Sequence, residues 1–186
     1  MDRSIVLTWG AGPLVLQAPL MRLLAVVLVL SAGCAWRPAS VRAICAGEDC
    51  YETGVLGPAW KVITREDAMV AFFNASTGGI ILSNENCRDD AEATPLSSLT
   101  AHLLVGYTEH HERSSELVAF ARREALRSVI DAKLDGVPVV LDLYVFKKDG
   151  CIFDLSYAAS PACDDSGLAD FQRFVEGFIQ LPRPPA

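Results

Sequence analysis

Apolar and polar residues follow two different periods along this chain, and together these periods predict an α+β domain. Three short runs rich in β-branched and aromatic residues, at 60–64, 69–74 and 79–83, are separated by polar segments. Such runs are typical of strands in a meander, in which each strand pairs with the next. The sequence therefore predicts three strands in the first half of the domain.

A helix is predicted after these strands, from about 95 to 105. Thr94 offers an N-cap, and Pro95 suits the first helical position because a backbone N–H is not needed there. Four leucines then fall at helical spacing: Leu96, Leu99, Leu103 and Leu104. Gly106 ends the helix, and the polar segment 107–115 is predicted to be a loop.

Two Asp-Gly pairs, at 135–136 and 149–150, predict two consecutive hairpins in the second half of the chain. Asp-Gly favours the type I′ turn, which needs positive φ at both central residues. The strand between the turns, 139–147, is apolar on both faces and is predicted to be central in its sheet. The strand 151–157 alternates, and Cys151 shares a face with its large apolar residues.

The segment 116–130, before the first of these turns, fits two structures. Its apolar residues have the spacing and the propensity of one face of a helix. Apolar residues also alternate with charged ones from Leu126 onward, and a two-residue turn requires extended chain to enter it. We therefore expect a strand from about 122 to the turn.

The last part of the chain predicts a second amphipathic helix. Asp164 and Asp165 offer N-caps, and Pro182 marks the end of the helical pattern. The apolar residues of its stripe are Leu168, Phe171, Phe174, Val175, Phe178 and Ile179. We expect this aromatic stripe to pack on the sheet as core, and residues 182–186 to form a proline-rich tail.

The predicted order of elements is βββαβββα, an antiparallel sheet of about six strands layered with helices. This order, the run 134–139 leading into 144–157, and the aromatic C-terminal helix resemble the Mog1/PsbP-like fold. The resemblance covers residues 58–181 as a single α+β domain. It includes no catalytic motif, and it implies a binding or accessory protein that associates with larger assemblies.

The N-terminal residues have the composition of a signal peptide. A positive charge is followed by apolar residues from 23 to 30 and by the small residues 31–33, which are the three parts of a secretory signal. Residues 1–33 are therefore expected to be removed, with Met21 a candidate for the true start. The alternative, one long uncleaved anchor, is disfavoured by the prolines and the arginine that interrupt the segment.

The segment from Leu30 to Cys34 resembles the bacterial lipobox, in which a cysteine after small residues is diacylated and becomes the mature N-terminus. The resemblance implies lipidation of Cys34, and Ala35 after it implies the outer membrane. Two acyl chains would give stable anchoring. Cleavage without lipidation would instead give a soluble periplasmic or secreted protein. We interpret residues 34–57 as a lipid-anchored tether with an N-terminal cysteine loop.

Export would allow the remaining cysteines to form disulfides. Cys45 and Cys50 are close enough in sequence to pair locally, whereas Cys87 and Cys151 each border a predicted strand and would staple the sheet. Cys163 is then left over. The short paired spacings of a zinc site are absent, and so is the C-x-x-C of a redox enzyme.

The remaining chemistry-bearing residues match no known motif. The chain has 16 Lys and Arg against 23 Asp and Glu, a net charge of −7, which argues against a nucleic-acid partner. The side chains most able to bind a metal are His102, Glu109, His110, His111 and Glu112. Their spacing matches no metal motif, and neither a nucleophile elbow nor a glycine-rich phosphate loop occurs. We expect no catalytic residue, no metal, no cofactor and no enzymatic activity.

Two functional hypotheses of different classes follow. The first is a non-catalytic cell-envelope lipoprotein, an accessory or protein-interaction module with the membrane and an envelope protein as its partners. The second is a periplasm-facing carrier of a small ligand or lipid, with an apolar cleft between sheet and helix. A protein that co-purifies would favour the first, and a small molecule the second.

Overall fold

Ten strands and two α-helices form the described part of the computed structural model, which comprises residues 43–46, 49–66, 68–87 and 91–181. The strands are β1 (Ile44–Ala46), β2 (Asp49–Glu52), β3 (Trp60–Ile63), β4 (Val70–Asn74), β5 (Gly79–Cys87), β6 (Tyr107–Phe120), β7 (Arg123–Leu134), β8 (Val137–Lys148), β9 (Cys151–Ala159) and β10 (Ile179–Gln180). The helices are α1 (Leu96–Leu103) and α2 (Asp164–Glu176), with a 3₁₀ turn at Ala91–Ala93 before α1.

The main sheet has seven antiparallel strands in the order β3-β4-β5-β9-β8-β7-β6. The expected number was about six, and the difference comes from β6. The prediction of a loop over 107–115 is wrong, because these residues belong to the 14-residue strand β6. This strand forms an edge of the sheet and is exposed along most of its length. A strand without a buried face needs no apolar alternation, so its sequence resembles a polar loop.

The two predicted Asp-Gly hairpins are confirmed. Both residues of each turn have positive φ, 51° and 80° at 135–136 and 51° and 79° at 149–150, as a type I′ turn requires. The strand expected from about 122 is also confirmed as β7. A third turn of the same kind joins β6 to β7 through Ala121 and Arg122, with φ of 48° and 65°.

One pairing of the main sheet joins strands that are distant in sequence, and we call it the β5–β9 seam. On one side of the seam lie β3, β4 and β5, and on the other lie β9, β8, β7 and β6, each a run of chain neighbours. The register across the seam pairs Asn84 with Asp154 and Cys87 with Cys151. Residues of β5 and β9 that are neighbours across the seam are therefore brought together by this long-range pairing.

The face of the sheet covered by α2 carries most of the core. Phe171 and Phe174 of α2 are fully buried, and Phe178 just after the helix is 6% exposed. The ring of Phe178 packs against Phe146 and Phe153, with centroids 4.9 and 5.2 Å away. Burying each such side chain contributes roughly 2–3 kcal/mol. The predicted packing of the aromatic stripe on the sheet is confirmed.

The opposite face is covered only in part, by α1. A smaller cluster of buried residues lies there: Ile130, Ala132, Leu141 and Leu143. Leu104 and Tyr107, which follow α1, pack against this cluster. The eight-residue helix is about 12 Å long, too short to shield all seven strands, so an open groove remains between α1 and the sheet.

A second, small sheet of β1, β2 and β10 lies beside the end of α2. Two of its strands fall within 34–57, the segment interpreted from sequence as tether and cysteine loop. Helix α2 ends at Glu176, earlier than the stripe suggested, because Ile179 enters β10 and is 59% exposed. The backbone N–H of Gly54 donates to the Phe174 carbonyl oxygen at 2.9 Å, which fixes this sheet to the helix.

Candidate binding groove

The groove between α1 and the main sheet contains two adjoining cavities. Their volumes are about 340 Å³ and about 430 Å³, and both are lined by His102, Leu103 and Asp154. His102 and Leu103 form the last turn of α1, and Asp154 lies on β9 beneath them. The two cavities therefore meet above the Asp154 carboxylate.

Apolar side chains form part of the wall of the larger cavity, beside polar ones such as Asn84 and Ser156. Apolar members of this wall are Leu82, Leu103, Tyr107, Leu141, Leu143 and Ala158. At one end the groove opens beside the β7–β8 turn, where a further recess of about 290 Å³ includes Leu134 and Val137. We call the exposed side chains of Val105, Leu134 and Val137 the groove mouth. They are 75%, 43% and 61% exposed.

Asn84 holds the Asp154 carboxylate in place across the β5–β9 seam. Its side-chain Nδ2 donates a hydrogen bond to Asp154 Oδ1 at 3.1 Å. Its Oδ1 accepts a hydrogen bond from the backbone N–H of Met69 at 2.8 Å. Because the carbonyl oxygen is engaged by a backbone donor, the amide is oriented with its NH₂ toward the carboxylate.

Burial raises the pKa of the Asp154 carboxyl above its usual range, and the hydrogen bond from Asn84 opposes this in part. No cation of the described residues forms an ion pair with Asp154 or lowers its pKa. Arg65 also lines the larger cavity, without contributing to the pKa of this carboxyl. The groove thus contains a desolvated acid whose charge is compensated by one hydrogen bond and by no cation of the described residues.

A fully buried acid shows the arrangement that the partly buried Asp154 lacks. Asp142 on β8 is 2% exposed, and its carboxylate accepts two hydrogen bonds from the Arg127 guanidinium, at 3.2 and 2.8 Å. This ion pair raises the pKa of Arg127. Such two-point pairing is the usual way in which a buried carboxylate keeps its charge.

The side chain of Lys147 forms hydrogen bonds with the segment that leads into α1. Its Nζ donates to the carbonyl oxygens of Glu92 and Thr94 at 2.7 and 3.0 Å. These bonds attach the start of α1 to β8 and thereby set the position of the helix above the sheet. They also occupy the amine, which makes no ion pair with Asp154.

Cys34, the predicted lipidation site, lies outside the described residues. The other candidate cysteines form two disulfides, Cys45–Cys50 within the β1–β2 hairpin and Cys87–Cys151 across the β5–β9 seam. Cys163 takes part in neither and lies just before α2.

The histidines considered as metal ligands are separated by the fold. His102 lines the groove, whereas His110 and His111 lie on the exposed strand β6. His110 Nε2 lies 2.7 Å from the Tyr107 carbonyl oxygen, as a donor. Within the described residues the one close group of three metal-binding side chains is Glu85, Cys87 and Cys151. Both of its sulfurs are used by the disulfide, so they offer no thiolate.

The architecture around this groove is similar to that of two solved structures. The solution structure of cyanobacterial PsbP (CyanoP) from Synechocystis has a TM-score of 0.53 at 8% identity, and the match covers 70% of this chain and 86% of that one. LpqN, involved in cell envelope biogenesis of Mycobacterium tuberculosis, has a TM-score of 0.53 at 9% identity, with 72% and 84% covered. The domain has a PsbP-like fold.

This similarity lies in the fold and not in the sequence. No protein-family model matches the chain, and no curated protein matches it. The described helices include none that is long and apolar enough to cross a membrane. The PsbP-like fold predicted from the element order is confirmed, with seven strands in the main sheet in place of about six.

Proposed function

We propose that the chain is an exported accessory protein of the cell envelope, anchored in the outer membrane through Cys34, that acts by binding and not by catalysis. The fold supports this, because LpqN has a similar fold and is involved in cell envelope biogenesis. The disulfides Cys45–Cys50 and Cys87–Cys151 also support it, since disulfides persist in oxidising compartments outside the cytosol.

The observation that carries the binding role is the open groove with its apolar mouth. Val105, Leu134 and Val137 are grouped on one rim and exposed to solvent. Grouped apolar side chains on a surface are typical of contact sites. The occupant that we propose for the mouth is an apolar segment of an envelope protein, which would cover these three side chains.

A pull-down from solubilised membranes tests the protein partner. Val137→Lys places a charge in the mouth, and Val62→Lys is the matched control, because Val62 on β3 is also 61% exposed and lies outside the groove. We expect a stoichiometric partner with the wild type and the control, and its loss with Val137→Lys. Equal recovery by all three chains would contradict the proposed contact.

The intact mass of the membrane-fraction protein tests the anchor. We expect a chain that begins at Cys34 with added acyl mass, and a Cys34→Ser variant that moves to the soluble fraction. A chain that begins at residue 1 or 21 without added mass would contradict both export and lipidation.

A second candidate function is that of a carrier for a small amphiphile. The size of the groove favours it, because the larger cavity of about 430 Å³ lies within the range of roughly 300–1,000 Å³ that is typical of ligand sites. Native mass spectrometry of the membrane-purified protein separates the two functions. An added small mass that is lost on denaturation supports the carrier, and a bound protein chain supports the interaction module.

A further inference from the structure

We infer that the groove binds an amphiphile that carries a positively charged amine, with its ammonium group at the Asp154 carboxylate and its apolar part along the wall formed by Leu82, Leu141 and Ala158. This inference rests on the carrier function above and names the chemical class of its ligand. The site is assembled by β5, β8, β9 and the last turn of α1.

The missing counter-charge is the first reason. Asp154 lies between the two cavities, and one hydrogen bond, from Asn84, reaches its carboxylate from the described residues. A desolvated carboxylate has a large unfavourable energy unless a cation or several donors compensate it. Asp142 receives that compensation from Arg127. At Asp154 the space where a cation would sit is part of the groove, and a ligand ammonium fits that space.

The end of α1 is the second reason. His102 and Leu103 line the groove at the C-terminal turn of the helix. The last carbonyl groups of a helix carry partial negative charge, which favours cations. The end of the helix, at His102 and Leu103, and the Asp154 carboxylate line the same space.

The apolar walls give the ligand its amphiphilic character. Beyond Asp154 the larger cavity has a strip of aliphatic side chains beside Arg65 and Ser156, and this strip continues to the exposed mouth at Leu134 and Val137. A hydrocarbon chain that lies along this path is removed from water, and this removal favours binding. A small hydrophilic amine would leave this surface uncovered.

Calorimetric titration of the oxidised protein with three probes of equal chain length tests the inference. The probes are octylammonium, octanol and octanoate, each below its aggregation concentration at neutral pH. We expect octylammonium to bind at least about tenfold more tightly than octanol, which corresponds to about 1.4 kcal/mol. Octanoate is expected to bind most weakly, because its charge repels Asp154.

Two variants locate the effect. Asp154→Asn keeps the shape and is expected to bind octylammonium no better than octanol. Asp131→Asn is the control, because it removes one negative charge from an exposed carboxylate that pairs with Arg113 on β6. The control is expected to keep the preference for the amine, which separates a specific site from general attraction to an acidic protein.

Each result of the titrations supports or overturns either the ammonium site or the carrier function. Equal binding of octanol and octylammonium would overturn the ammonium site and leave the carrier function standing. Binding of none of the three probes would overturn both. Loss of the preference in the Asp131→Asn control as well as in Asp154→Asn would show that surface charge, and not the groove, attracts the amine.

Discussion

Tyr51 of the small sheet and Ser83 of the main sheet share a buried hydrogen bond, with their hydroxyl oxygens 2.5 Å apart. Both residues are 0% exposed. Burial raises the pKa of the Tyr51 hydroxyl well above its usual range, so this group stays neutral. Around it the Tyr51 ring stacks on Phe178 and meets Phe153 edge-on. The hydrogen bond is thus a polar contact between the two sheets inside an aromatic core.

Removing either hydroxyl is expected to destabilise the protein more than removing both. Tyr51→Phe leaves the Ser83 hydroxyl without its partner, and Ser83→Ala does the same to Tyr51. Each single variant should lower the free energy of unfolding by about 1–3 kcal/mol, the cost of an unsatisfied buried polar group. Urea denaturation of both single variants and the double variant measures the coupling. Additive losses would contradict a direct bond between the two groups.

Gly54→Ala is expected to separate the small sheet from α2. A Cβ atom at Gly54 would lie 1.8 Å from the Arg173 carbonyl oxygen. This distance is a steric clash, so the two backbone segments would have to move apart. We expect the free energy of unfolding to fall by about 3 kcal/mol. Gly57→Ala is the control, because a Cβ there meets nothing within 4 Å. Thermal denaturation of the two variants checks this, and similar midpoints would show that the contact is not tight.

The two disulfides are expected to contribute unequally to stability. Cys87–Cys151 closes a sequence separation of 64, and Cys45–Cys50 closes one of 5. Loop-closure entropy then predicts losses of about 4 kcal/mol and about 2 kcal/mol when each pair is replaced by alanines. Guanidinium denaturation of the two double variants measures the difference. A larger loss from the Cys45/Cys50 variant would contradict the entropic argument.

The stability of the protein is expected to depend on pH through Asp154. Its folded-state pKa is raised by burial above the ordinary value of 3.8. The folded protein therefore holds the proton more tightly than the unfolded chain, and stability falls as pH rises from 3.8 through the folded-state pKa. Asp154→Asn lacks this penalty, so it should be more stable than the wild type at neutral pH. The advantage should shrink toward acid pH.

Asp131→Asn is expected to change the stability at neutral pH in the opposite direction, and it serves as the comparison. The Arg113 guanidinium holds the pKa of Asp131 below its ordinary value of 3.8. The stabilisation is then fully present above 3.8 and is lost as pH falls through the lower folded-state pKa. This variant should be less stable than the wild type at neutral pH and equal to it in strong acid. Urea denaturation across about pH 3 to 7 measures both differences, and a common sign for the two variants would contradict the assignment.

The sequence predicted the strands that are bounded by recognisable turn residues or that have one buried, apolar face. The turns at 135–136 and 149–150 have Asp-Gly pairs, which tolerate positive φ. The turn of Ala121 and Arg122 has the same backbone shape without such residues, so nothing in the sequence indicated it. The strand β6 that it ends is exposed along most of its length, and in the described sheet its backbone pairs with β7.

The groove could not be predicted because its key contact is long-range. In the sequence, Asp154 is one polar residue in an alternating strand, as expected for a solvent-facing position. Asn84 lies 70 residues earlier, and the register of the β5–β9 seam decides that the two meet. Burial of Asp154 also requires α1 above it, and that helix is positioned by the Lys147 bonds to Glu92 and Thr94.

The β5–β9 seam also limits when the groove can form during folding. Strands β6 to β9 are joined by tight turns and can pair as soon as each is made, whereas β5 must wait for a strand that follows more than 60 residues later. Asn84 and Asp154 come from opposite sides of that seam. A chain trapped before this closure would have most of its hairpins and no groove, so binding of the proposed ligand would report closure of the seam and not the content of strands.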